Sequence, residues 1–139
     1  MIRVSLLFTL LTFSTALAQP QFTFSDLYTD VATQEFSSDL KAAAGETVTM
    51  LGYAAPPLKP DADFFVLTKY PMSVCPFCET EAEWPPDIIY VKLPKGGTDT
   101  IIFGALKVTG TLEVGTAKDP KTGFVSKIRI QADKVERAG

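Results

Sequence analysis

The sequence predicts an all-β fold, a small five-stranded OB-like barrel with a short N-terminal helical extension. Three observations lead there. The apolar spacing changes from three-and-four to two at Gly45, five period-two segments follow it, and no long helical pattern separates them. Strands of this kind gain from closing on themselves, because closure removes the exposed edges that a flat sheet carries.

The first 18 residues read as a secretory signal rather than as part of the fold. Met1-Ile2-Arg3 is a short positive start, Val4 to Phe13 is an apolar run broken only by Ser5, Thr9 and Thr12, and Ala16-Leu17-Ala18 has the small residues that signal cleavage requires. Cleavage is expected after Ala18, placing the protein in the periplasm or outside the cell. The apolar run is shorter than the roughly 20 residues of a membrane-spanning helix, and no second one follows, so no membrane span is expected. No Cys follows the run to accept a lipid.

From Gln19 to Gly45 the spacing of Phe24, Leu27, Tyr28, Val31, Phe36 and Leu40 predicts two short helical turns. Ser25 and Asp26 are available as caps, and the second turn, about Ser37 to Ala44, is stopped by Gly45. The barrel domain then runs from 46 to 139. Its strands are expected at Thr47 to Tyr53, Ala62 to Tyr70 between flanking prolines, Asp87 to Leu93, Ala105 to Gly115 and Val125 to Val135. In the fourth, Leu106, Val108, Gly110, Leu112 and Val114 share one face and Lys107, Thr109, Thr111 and Glu113 the other. In the fifth, Ile128, Ile130 and Ala132 point inward and Lys127, Arg129, Gln131 and Asp133 outward. Gly110 in mid-strand signals a bulge or tight corner, and Asp119-Pro120 with Thr122-Gly123 signals a polar hairpin turn.

Composition excludes several chemistries. There is no His, so Ser-His-Asp and Cys-His nucleophile pairs, His-ligated zinc and Cys-x-x-Cys-His haem attachment all lack a necessary group. The formal net charge is -3 and the Lys and Arg form no run, which argues against nucleic acid.

The runs Val48 to Pro57, Phe64 to Leu67, Ile89 to Val91 and Val108 to Gly115 together resemble uncharacterised bacterial periplasmic proteins with an OB-like barrel. The likeness extends over most of the chain from Phe36 onward and rests on a glycine-aromatic strand end and a VTGTL strand. It implies an exported small barrel, with some members accompanying ABC transport systems, and it brings no activity with it. An envelope transport system or another exported protein is the partner it implies.

The motif with chemistry of its own is Cys75-Pro76-Phe77-Cys78. Two thiols at this spacing can close a disulfide ring or grip a soft divalent metal such as zinc. Two thiolates are half of a four-ligand site, and Glu79, Glu81 and Glu83 follow at once to complete one. Three readings therefore stand: a structural staple in an oxidising compartment, a metal site formed by Cys75, Cys78, Glu79, Glu81 and Glu83, and a redox-active pair. A thioredoxin-like fold would need a long helix after the second Cys, and Pro85-Pro86 stops it within about two turns. The three glutamates disfavour an attacking thiolate, and the nearest cation in sequence is Lys69. The sequence thus favours a binding module acting through the Cys75 to Asp87 loop, with a thiol-disulfide redox protein as the alternative. Most aromatic residues flanking this loop are expected in the core. Trp84, between a Glu and two prolines, is either a plug for one barrel end or an anchor for a partner.

Overall fold

The computed structural model describes residues 17–56, 62–72, 84–94 and 104–139. Within them the chain is mostly β-structure. The strands are β1 (Gln21–Phe22), β2 (Tyr28–Asp30), β3 (Glu35–Phe36), β4 (Thr47–Ala54), β5 (Phe64–Thr68), β6 (Ile88–Lys92), β7 (Ala105–Lys118) and β8 (Val125–Arg137). Among the described residues helix is confined to a 3-10 turn at Phe24–Asp26 and to α1 (Ser38–Ala42). No helix among the described residues is long and apolar enough to cross a membrane.

Among the described residues the main sheet has six strands, not the expected five, in the order β1-β4-β5-β6-β8-β7, and β7 pairs with β4 as well as with β8. The sixth strand is β1, which comes from the extension and runs parallel to β4, with Gln21 beside Thr49 and Phe22 beside Met50. Two residues are too few for a period to show in sequence. They are held by burial of Phe22 and by the Thr49 N–H, which donates to the Pro20 carbonyl at 2.9 Å. The other five strands hydrogen-bond in an unbroken circuit, β4-β5-β6-β8-β7 and back to β4. Neighbours in that circuit are antiparallel except β6 and β8, which are parallel.

Residues directly opposite one another across a ladder share a face. The pairs Phe65–Val91 and Val91–Ile130, with Leu67–Ile89, Met50–Val108 and Leu112–Ile130, define one buried face of the circuit. The alternation visible in the sequence of β7 and β8 therefore reports true inside and outside positions. β5 and β6 do not alternate: all of β5, and all of β6 but Lys92, is buried. Their second face is covered by an aromatic layer. Phe64 stacks on Tyr90 with centroids 4.5 Å apart, and Phe124 lies against both at 5.5 and 5.9 Å. Trp84 meets Phe124 edge-on at 6.4 Å. Each such buried ring contributes about 2 kcal/mol by removal from water, so this outer layer is a second source of stability.

The extension departs from the helical expectation between its two short helices. Tyr28 and Phe36 were expected on a helical stripe; instead they face each other across the β2–β3 pair and stack at 5.6 Å, while Val31 is 57% exposed in the turn between those strands. A few apolar residues spaced three and four apart fit a helix and a tight hairpin equally well, and here the cross-strand stack decides. The second helix forms as expected. Ser37 caps it, its hydroxyl accepting from the Leu40 N–H at 3.1 Å, and Gly45 ends it with φ +84°. Gly45 N–H then donates to the Leu112 carbonyl at 2.8 Å, tying the helix exit to β7.

Candidate functional site

β7 and β8 are joined by the turn the sequence predicts, and the carboxylate of Asp119 organises it. Its Oδ1 accepts from the backbone N–H of Lys121 at 2.9 Å and of Thr122 at 2.8 Å, and from the Thr122 hydroxyl at 3.0 Å. Its Oδ2 accepts from the Tyr90 hydroxyl at 2.9 Å. Burial alone would raise the Asp119 pKa, but these donors outweigh it and hold the carboxyl below its ordinary value. Tyr90, 4% exposed, is pushed the other way by burial and by the hydrogen bond it donates to Asp119, so its hydroxyl stays protonated.

A cleft of about 230 Å³ opens beside this turn. Tyr90 and Lys92 of β6, Arg129 of β8, Glu113 of β7 and Asp119 of the turn line it, with Ser126 also contributing. The ladder register explains the convergence, since Arg129 lies opposite both Tyr90 and Glu113. Arg129 Nε donates to Glu113 Oε2 at 3.0 Å and its Nη1 to the Gly115 carbonyl at 2.6 Å. At the rim, Asp63 accepts from Lys92 Nζ and Lys121 Nζ, each at 2.8 Å, linking the start of β5 to β6 and to the turn.

The two lysines, Lys121 first, hold the Asp63 carboxyl down to about 2 from an ordinary 3.8. A depressed folded-state pKa stabilises the protein above the unfolded value and loses that contribution as pH falls toward the folded one. Acid titration followed by thermal melting should therefore show Asp63→Asn less sensitive than the native chain between about pH 4 and pH 2. Asp63 is partly exposed, so 0.5 M salt should narrow the difference.

Trp84 is 9% exposed. Its Nε1 donates to the Tyr28 hydroxyl at 3.2 Å, and its carbonyl accepts from Gln34 Nε2 at 2.7 Å. Gln34, at φ +55°, also accepts from Lys127 Nζ of β8. The indole is packed between the β2–β3 pair and Phe124, in the outer aromatic layer. It also fixes the C-terminal side of the Cys75–Asp87 segment. Cys75, Cys78, Glu79, Glu81 and Glu83 lie outside the described residues. Among the described residues no group of three or more Cys, Asp and Glu side chains is placed to hold a metal ion.

The cleft was not among the sequence expectations. Glu113, Arg129 and Gln131 were read as outward-facing and Asp119 as a turn residue, which is where they lie, but their meeting with Tyr90 and Lys92 depends on the parallel β6–β8 register, which no local pattern encodes.

Among solved structures the chain is similar to a DUF3299 family protein from Pseudomonas aeruginosa PAO1, with a TM-score of 0.55 and 21% identity over 88% of this chain and 99% of that one. At that identity the likeness speaks for the fold. A weaker likeness, TM-score 0.43 at 11% identity, covers 92% of this chain and 22% of a Leishmania major Friedlin protein provisionally named an aspartyl-tRNA synthetase. No protein-family model and no curated protein matches the chain.

Proposed function

We propose that the protein is an exported binding module, an OB-like barrel whose ligand site is the cleft beside the β7–β8 turn. The observation that carries this reading is the cleft's position. Numbering the circuit from β4, it is bordered by the third strand and by the turn between the fourth and fifth, and OB-like barrels take ligands on the second and third strands and at that turn. The unbroken pairing of β4 through β8 with a parallel β6–β8 pair supports the barrel. The aromatic layer covers most of β5 and β6, so ligand access is left at the Lys92 end. Its charged groups are only partly paired, Arg129 with Glu113 and Lys92 with Asp63, an arrangement suited to holding a polar ligand.

Export is supported by the start of the fold. Among the described residues Leu17 to Gln19 are exposed and the first pairing is made by Pro20 and Gln21, so cleavage after Ala18 leaves that pairing in place. N-terminal sequencing of protein from the envelope should read Gln19, whereas an intact Met1 would contradict export. For the cleft, an extract of envelope small molecules should raise the thermal midpoint of the native chain. Ala117→Trp, which fills the cleft, should abolish that rise. Equal responses in the two proteins would place ligand binding elsewhere.

We further propose that the Cys75–Asp87 segment serves as a structural or metal-holding device, zinc being the metal its thiols and carboxylates suit, in an exported protein that accompanies an envelope transport system. Support comes from Trp84, which anchors one side of the segment to the β2–β3 pair. Cys75→Ser should release any zinc found by elemental analysis, yet leave the far-ultraviolet spectrum unchanged, since the described core is built without it. Mixed disulfides with other exported proteins, trapped on a non-reducing gel, would favour the redox reading instead.

A further inference from the structure

The class of ligand follows from the charge and hydrogen-bonding state of the cleft, given the reading of that cleft as the ligand site. Three cations line it, Lys92, Lys118 and Arg129, against two carboxylates, Glu113 and Asp119. That is an excess of one positive charge, unchanged when Asp63 and the Lys121 that shares it with Lys92 are both included, in a chain whose formal net charge is -3.

The carboxylates are largely spent on the protein itself. Asp119 accepts four hydrogen bonds from Tyr90 and its own turn, and Glu113 Oε2 is taken by Arg129. Lys92 is taken by Asp63, but two other donors are not spent. Among the described residues Lys118 Nζ and Arg129 Nη2 have no protein acceptor, while Arg129 Nε and Nη1 are fixed and hold the guanidinium in place. What remains is one fixed cationic donor, Arg129 Nη2, and the exposed Lys118 ammonium, beside Glu113 Oε1 and the Gln131 amide, which suit groups that both donate and accept.

We propose that the cleft binds a small ligand carrying one carboxylate beside hydroxyl groups, the size of a single sugar-acid ring. The carboxylate meets Lys118 and Arg129 Nη2 through charge-assisted hydrogen bonds, and the hydroxyls meet Glu113 and Gln131. Size sets the upper limit: about 230 Å³ is below the roughly 300–1,000 Å³ of pockets that enclose drug-sized molecules. Charge separates the alternatives. A neutral sugar leaves the cationic donors on neutral acceptors, and a phosphate dianion brings one more negative charge than the lining compensates.

Isothermal titration calorimetry of the purified protein with D-glucuronate, D-glucose and inorganic phosphate tests this. D-Glucuronate should bind at least about tenfold more tightly than either comparator, and Lys118→Gln should weaken it about tenfold, the loss of one charge-assisted hydrogen bond. Lys118 is exposed, so that variant should melt as the native chain does. Glucose binding as tightly as glucuronate would overturn the ligand class while leaving the cleft as a site. Phosphate binding more tightly would overturn the charge count. Glucuronate binding unchanged in both Lys118→Gln and Ala117→Trp would overturn its placement here. No heat from any of the three would overturn the inference, leaving the binding-module reading to the separate extract comparison with Ala117→Trp.

Discussion

Gly110→Ala should lower the thermal midpoint by about 10 °C, out of proportion to the single methyl group it adds. Gly110 sits in the middle of β7, where the β7–β8 register shifts between Thr109 and Gly110. A Cβ built there would stand 2.1 Å from the Gln131 carbonyl oxygen and 2.7 Å from the Ala132 Cα. Both are backbone atoms of a paired strand, so relief requires the strands to separate rather than a side chain to rotate. Overpacking of this kind costs about 3 kcal/mol, and for a domain of this size each kcal/mol is worth about 3–4 °C. Circular dichroism melting of the two proteins checks it. A shift under about 3 °C would mean that β7 and β8 do not approach at this point, and the circuit of strands would have to be redrawn.

Trp84→Ala should cost a similar amount, about 3–4 kcal/mol, by removing a buried ring and its packing. The loss falls on the joint between the outer aromatic layer and the β2–β3 pair, because the indole contacts Phe124 on one side and Tyr28 on the other. Trp84→Phe should keep most of the packing and lose the Nε1 hydrogen bond to Tyr28, a cost nearer 1 kcal/mol. Urea unfolding of the three proteins measures both differences. The chain has a single Trp, so native-state fluorescence reports on this residue alone and should be blue-shifted by burial. Emission like that of free tryptophan, with a cost for Trp84→Ala below about 1 kcal/mol, would show a surface residue and contradict its place in the aromatic layer.

These two residues also mark how far the sequence could be read. Gly110 interrupts a clean alternation in a long strand, and a glycine there has a local meaning that needs no partner to be known. The same holds for β7 and β8, whose alternation is written into the sequence, whereas β5 and β6 are continuous apolar runs buried on both faces. Trp84 was legible only as a choice between two roles, because its fate depends on Tyr28 and Phe124, 56 and 40 positions away. β1 to β3 were misread for a related reason: two- and three-residue strands carry too few positions to show a period, and the Tyr28–Phe36 stack mimics helical spacing. The cleft was the least legible feature. Tyr90, Glu113 and Arg129 lie on three strands whose adjacency includes a parallel pair, and parallel pairing joins strands that are distant along the chain. Residues 75 to 83, which carried the strongest sequence motif, lie outside the part of the molecule the structure describes.

The proposed ligand site is the Lys92–Asp119 end of the outer face, with the rest of β5 and β6 covered by Phe64, Phe124 and Trp84. Amide chemical-shift mapping of the isotope-labelled protein, titrated with D-glucuronate, tests it most directly. Shifts should be confined to Tyr90, Lys92, Ala117 to Lys121, Arg129 and the β7 residues opposite Arg129, with β5 and the Trp84 indole unmoved. Shifts centred on β5, Trp84 and the β2–β3 pair would contradict it, showing that the aromatic layer is the ligand site rather than the cover that excludes one.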